Sequence, residues 1–183
     1  MNQMIDQQIV ISGVGGQGVL FVTRLMAEAA VRKGLSALTS ETHGMAQRGG
    51  TVISHLKVGR YTSPLIRTGK ADGLLALKGE GAEQHGHYLR SQGWAVVNTV
   101  NGGQDRPTGW KWLDADRLAH AAGNPRSVNL VVLGGALSGE GHRSLFCSLE
   151  DIRAVLAERL SAKPDLLKQS YKALEAGLLA AKA

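Results

Sequence analysis

The chain has 183 residues, 43% of them hydrophobic, with 21 Lys and Arg against 15 Asp and Glu for a net charge of +6. That length supports a full apolar core without metal or disulfide staples, so one domain over residues 1–183 is expected, and no apolar run approaches the roughly 20 residues of a membrane-spanning helix. The single cysteine, Cys147, excludes an internal disulfide and any iron–sulfur cluster held by this chain alone, since such clusters need a full set of thiolates.

The first eight residues are polar, with Asp6 and no basic apolar block, so they do not resemble a secretory signal and a cytoplasmic location is expected. Residues 8–12 (QIVIS) form a β-branched run ending at glycine. From residue 19 to 33 apolar residues recur at helical spacing until Gly34 stops them. Residues 35–40 read as a second strand, so strand, glycine turn, helix and strand follow one another as in a right-handed βαβ unit. Residues 51–58 alternate, with Val52, Ser54, Leu56 and Val58 on one face and Ile53, His55 and Lys57 on the other. Gly59-Arg60 is a turn into residues 61–66, which pair as a hairpin until Pro64 interrupts them.

Residues 74–78 (LLALK) and 94–99 (WAVVNT) read as buried strands around a polar helical stretch at 79–92, and residues 101–109 as a loop. Residues 114–121 are helical with Asp114 as the cap. Residues 128–138 (VNLVVLGGALS) fit either a closely packed helix or a bulged strand, with helix favoured. Residues 149–160 and 164–182 close the chain as amphipathic helices, Pro164 standing in the first turn where proline is tolerated. The alternation predicts an α/β, Rossmann-like three-layer fold with a mostly parallel sheet and an antiparallel hairpin after the second strand.

Two glycine-rich segments carry the chemistry. Gly13, Gly15 and Gly18 fit G-x-G-x-x-G between a strand and a helix, with Gly16 and Gln17 between them. Such a turn lets a pyrophosphate approach backbone N–H groups at the positive helix end, or else it is a tight crossover that binds nothing. Glu41 stands near where a ribose-binding acid would be, but it runs into residues 43–50 (HGMAQRGG), which a dinucleotide fold does not call for, so NAD is disfavoured. In that octapeptide His43, Gln47 and Arg48 supply a titratable ring, an amide and a fixed cation suited to a carboxylate or phosphate. The His85-x-His87 pair reads as a solvated helix face rather than a metal site. Cys147 reads as a packing residue. Basic residues are scattered and only 4% of residues are aromatic, which disfavours nucleic acid. An acidic protein or a phosphate-bearing cofactor suits the same charge. Asp72-Gly73 with Asn98 has the look of a thiamine-diphosphate magnesium motif, discounted because Asp72 precedes a strand in this reading.

GVGGQG, SETHGMAQRGGTVISHLKVG, SPLI at 63–66, Ala71-Asp72 and NLVVLGGALS at 129–138 together resemble the gamma-type subunit of 2-oxoacid:ferredoxin oxidoreductases, most closely the beta subunit of the indolepyruvate enzymes. The octapeptide is the most specific part. Pyruvate and 2-oxoglutarate members of the family tend to carry a Pro-Glu-Met version of it, so the resemblance leans toward aryl pyruvates. At residues 170–173 the chain has Ser-Tyr-Lys-Ala where the family often has an asparagine, which leaves open the contacts of the last helix. The resemblance implies an accessory subunit, inactive alone. Its partner would carry thiamine diphosphate, magnesium and iron–sulfur clusters, with ferredoxin reached through the complex and coenzyme A as a further ligand. It also implies a backbone cradle at Gly15, Gly16, Gln17 and Gly18, with His43, Met45, Gln47, Arg48, Gly49, Gly50 and Ser63 facing partner or substrate. A free-standing nucleotide-binding domain, reductase or sensor, is the competing reading. Homodimerisation of the isolated chain stays open.

Overall fold

The computed structural model describes residues 5–43, 50–100, 107–139 and 145–182, and for His43 the backbone alone. Its centre is a six-stranded sheet in the order β2-β3-β1-β4-β5-β6. Strands β1 (Gln7–Val14), β4 (Ala71–Ala76), β5 (Leu89–Asn98) and β6 (Trp110–Leu113) run parallel, while β3 (Thr51–Val58) is antiparallel to both β1 and β2 (Ala37–His43). The expected α/β, largely parallel architecture is therefore present. The βαβ unit is not contiguous, because β3 inserts between the strands that α1 (Val19–Arg32) connects.

An antiparallel element follows the second strand as expected, but its arms are β2 and β3 rather than β3 and residues 61–66. Tyr61 to Ile66 forms no strand; β3 uses both edges on β1 and β2, leaving no partner position for a third strand. The segment instead crosses the sheet face, where the Ile66 N–H donates to His55 Nδ1 at 3.2 Å. The helix expected over 79–92 stops early: α2 is Gly79–His85, a 3-10 turn follows at Gly86–Tyr88, and β5 starts at Leu89. Strand β6 lies inside the region after the expected loop; residues 101–106 fall outside the described ones.

The alternation in β3 sorts two cores. Val52, Leu56 and Val58 join the larger one with α1, α3 (Ala115–Ala121), α4 (Val128–Ala136), α5 (Leu149–Arg159) and α6 (Pro164–Lys182), whereas Ile53 joins the smaller one beneath α2. Each core face is apolar every second residue, as a two-sided sheet requires. Asp114 caps α3 by accepting from the Arg117 N–H at 3.0 Å, and Ser148 with Asp151 forms a capping box on α5.

The ambiguous run at 128–138 is a helix, and all nine residues of α4 are buried. Its glycines answer the ambiguity. A Cβ at Gly134 would collide with the Leu174 carbonyl, and one at Gly177 with the Val131 carbonyl, so α4 and α6 cross backbone to backbone. At the departure from the family pattern, Ser170 is buried and donates back to the Leu166 carbonyl at 2.7 Å, and Ala173 is fully buried. Cys147 is 5% exposed in the larger core, and burial pushes its thiol up to about 12.

Candidate functional site

Strand β1 ends in the first glycine segment. The Gln17 N–H donates to the Val14 carbonyl at 3.1 Å, Gly16 and Gly18 take φ of +92° and +81°, and Gly18 begins α1. Only glycine enters that left-handed region without strain, so the sequence itself dictates the turn. Among the described residues no side chain caps α1, and no acid stands in its first turn, which leaves its N-terminal N–H groups at the positive end of the helix dipole. Gln17 turns inward: Oε1 accepts from the Val14 N–H at 2.9 Å and Nε2 donates to the Leu77 carbonyl at 3.3 Å. It braces the turn from within. Gly13 is needed for that packing, since a Cβ there would lie 2.9 Å from Gln17 Oε1.

The second segment meets the first through the sheet register. His43 pairs with Val52, Gly13 with Val52 and Val14 with Thr51, and the Gly15 N–H donates to the Gly50 carbonyl at 3.0 Å. The described ends of the second segment, His43 and Gly50, therefore stand at the same end of the sheet as the first. Met45, Gln47, Arg48 and Gly49 lie outside the described residues, as does the His43 side chain. Ser63 is exposed on the segment between β3 and β4, whose ends, Val58 and Ala71, stand at the opposite end of the sheet.

Between β1 and β4 the topology switches: α1 leads away over one face toward β2, and α2 over the other toward β5. In α/β sheets ligands bind in the crevice at the carboxyl ends of such strands. A cleft of about 240 Å³ opens there, lined by Ser12, Gly13, Val14, Thr51, Lys78, Glu80, Gly81 and Gln84. Lys78 is exposed and ion-paired to Glu80 at 3.2 Å, and that hydrogen bonding, with Glu80's own backbone N–H first, holds the Glu80 carboxyl below its ordinary range. Thr51 Oγ1 donates to Gln84 Oε1 at 3.4 Å. At the floor Ser12 Oγ lies 2.8 Å from His85 Nδ1, and burial, then the charge of His87, lowers the His85 pKa. A larger cavity of about 480 Å³ beside Trp94, Lys111 and Ser138 lies toward the amino ends of the parallel strands, away from both glycine segments.

Asn129, the first residue of the NLVVLGGALS run, belongs to this end of the molecule. It donates to the Gly18 carbonyl at 3.5 Å while its Oδ1 accepts from the Leu130 N–H at 2.8 Å. An asparagine opening an otherwise apolar run was its only signal. The remaining candidates resolve structurally. His87 stacks on Tyr88 at 4.4 Å and His85 is engaged by Ser12, and no group of metal-ligating side chains forms among the described residues. Asp72 lies within β4 rather than before a strand. It accepts from the Gln8 N–H and pairs with Arg90, while Asn98 bonds Leu77, Asp116 and Ala115. These are ties within the fold.

Residues 8–180 match the pyruvate ferredoxin/flavodoxin oxidoreductase family, and the chain belongs to it. It is thus an oxidoreductase subunit by class. Among curated proteins it is 32% identical to indolepyruvate oxidoreductase subunit IorB of Archaeoglobus fulgidus, over 92% of each chain. The identity to the same subunit of Thermococcus kodakarensis is also 32%, over 98% of each. Among solved structures it superposes on the gamma subunit of a keto/oxoacid ferredoxin oxidoreductase from Geobacter sulfurreducens with a TM-score of 0.76 and 25% identity, covering 96% of this chain and 98% of that one. The fold also recurs in the 2-oxoglutarate:ferredoxin oxidoreductase of Magnetococcus marinus, described with 2-oxoglutarate, coenzyme A and succinyl-CoA bound, at a TM-score of 0.78 and 23% identity. There it corresponds to 32% of the longer chain.

Proposed function

We propose that this chain, as a single domain, is the accessory subunit of a cytoplasmic 2-oxoacid:ferredoxin oxidoreductase acting on an aryl pyruvate such as indolepyruvate. The observation that carries the site is the Gly15 to Gly50 hydrogen bond of 3.0 Å, which joins the uncapped start of α1 to the family's most specific segment at the switch of the sheet. His43, Met45, Gln47, Arg48, Gly49 and Gly50 then face the companion subunit or its substrate, and Ser63 meets the companion from the other end of the sheet.

Thiamine diphosphate, magnesium and iron–sulfur clusters belong to the companion in this reading. The chain's one thiol is buried with its pKa at about 12, and Asp72 and Asn98 are committed to internal bonds. When bound in the complex those groups supply the decarboxylation and electron transfer. This chain's residues orient and enclose: Gln17 and Asn129 fix the glycine turn, and Arg48 provides a bidentate cation for a carboxylate or phosphate. The phosphates of coenzyme A suit the α1 terminus and Lys78 on the same grounds.

Co-expression with the companion polypeptide should give a complex that turns over indolepyruvate with ferredoxin and coenzyme A faster than pyruvate or 2-oxoglutarate, while the chain alone is colourless and inactive. Turnover by the isolated chain overturns the division of labour. A preference for 2-oxoglutarate overturns the substrate. Micromolar binding of NAD(H) or NADP(H) to the isolated chain in a calorimetric titration would instead support the free-standing nucleotide domain.

A further inference from the structure

Lys57 is one of the most buried charged residues among the described ones, at 9% exposure, yet no described carboxylate pairs with it. It stands on the same face of β3 as Ile53 and His55, with its ammonium 5.1 Å from the ring centroid of Tyr61. Among the described residues that cation–π contact is what holds its ammonium. The charge acting on it is Arg67, of the same sign, so burial first and Arg67 second lower the Lys57 pKa. A lysine whose stem is this covered, and whose ammonium feels a second cation rather than a carboxylate, gains the fold little by itself.

Above Lys57 runs the segment 59–70, which contains Arg60, Arg67 and Lys70 and no acidic residue. It is held at several points rather than draped: the Ile66 N–H on His55, the Gly69 N–H on the His87 carbonyl at 3.0 Å, and the Arg60 guanidinium on Asp6 at 2.6 Å. Arg60 is thereby neutralised, whereas Arg67 and Lys70 are exposed and form no ion pair among the described residues. Between them and Tyr61, Leu65 projects 55% exposed, one of few large apolar side chains so exposed among the described residues. An apolar anchor within a rim of uncompensated cations on a pre-ordered strap has the anatomy of a protein interface, not of a solvated loop.

We propose that the strap 59–70 with Lys57 beneath it is the seat of an acidic segment of the companion subunit, one carboxylate answering Lys57 and Arg67 while an apolar neighbour covers Leu65. This deepens the functional proposal above and rests on there being such a companion. The occupant is identified by its chemistry: it must bring negative charge and a hydrophobic contact together, which a small free anion does not.

The test uses the full chain co-expressed with the companion, with dissociation constants measured by biolayer interferometry at two salt concentrations. Arg67→Glu with Lys70→Glu should weaken the complex on the order of tenfold or more and flatten its salt dependence, whereas Lys168→Glu, an exposed lysine on α6 across the molecule, should leave it within about twofold. Lys57→Met keeps the stem and removes the charge. It should melt at or above the wild-type temperature as an isolated chain yet bind the companion more weakly, a combination a purely internal role for Lys57 does not produce. Wild-type affinity in the Arg67/Lys70 variant, or in a folded Lys57→Met variant, overturns the interface while leaving the subunit assignment standing. Failure of the wild-type chain to associate at all overturns both.

Discussion

Replacing Gln17 by alanine isolates how the glycine turn is built. The substitution removes the Oε1 acceptor 2.9 Å from the Val14 N–H and the Nε2 donor 3.3 Å from the Leu77 carbonyl. The two losses differ in kind. The Leu77 carbonyl keeps the Asn98 Nδ2 donor at 3.0 Å, so that half costs a few tenths of a kcal/mol, whereas the half-buried Val14 N–H faces Gln17 alone on that side and its orphaning costs about 1–2 kcal/mol. A total of about 1.5–2 kcal/mol corresponds to a fall of about 3–8 °C in Tm for a chain of this size. Urea unfolding followed by circular dichroism measures the first quantity, and native-state hydrogen exchange at the Val14 amide locates it. Gln17→Met keeps the apolar stem and should match the alanine variant to within about 0.5 kcal/mol if the hydrogen bonds dominate. An alanine variant with wild-type unfolding and unaltered Val14 exchange would show that Gln17 does not hold the turn.

Gly177→Ala drives a methyl into the Val131 carbonyl where α4 and α6 cross, and should cost about 3 kcal/mol or more, or prevent soluble expression, whereas Gly34→Ala in open space at φ +75° should cost about 1 kcal/mol; comparable unfolding midpoints for the two would refute the backbone crossing. Burial, followed by the charges of His85 and Lys57, lowers the His55 pKa, and burial, followed by His87, lowers that of His85. Both rings are thus neutral in the fold and bind protons more readily once unfolded, so their contribution is complete above the ordinary value of 6.5 and is lost as pH falls below it. Tm should therefore decline between about pH 6.5 and 5, before carboxylates such as Glu28 titrate, with Tyr88, His87, Lys57 and Arg67 as the surrounding groups; His55→Gln should flatten that limb, and a flat wild-type profile would refute the account. Cys147, with its thiol at about 12, should resist iodoacetamide at pH 8 in the native chain and react at once in denaturant; rapid native labelling would contradict its burial.

Much of this architecture is written locally. The β-branched run before Gly13, the helical spacing to Gly34 and the alternation in β3 are properties of neighbouring residues, and the elements formed there, β3 at its expected bounds and the others with ends shifted by one or two residues. Most of the failures are non-local. Nothing in residues 51–58 says that they will lie between β1 and β2, and once they do, Tyr61 to Ile66 has no edge to join despite its extended composition. Strand β6 is four residues, Trp-Lys-Trp-Leu, too short for periodicity to announce. The site divides the same way. The two glycine segments were legible because their composition is unusual, whereas Thr51, Lys78 and Gln84 are ordinary residues that become cleft walls only through the crossovers on opposite faces of the sheet. Asn129 reaches Gly18 across 111 positions of sequence, a pairing that no window of residues contains.

The crossing of α4 and α6 also sets an order of events during synthesis. Nine consecutive buried residues in α4 find one side of their cover in α6, where Leu174 and Gly177 cross them and leave the ribosome some forty positions later. Until then the emerging chain offers a greasy rod to whatever is nearby, a chaperone or another nascent copy. Any shortened version lacking the last helix should be an aggregating species rather than a smaller working one.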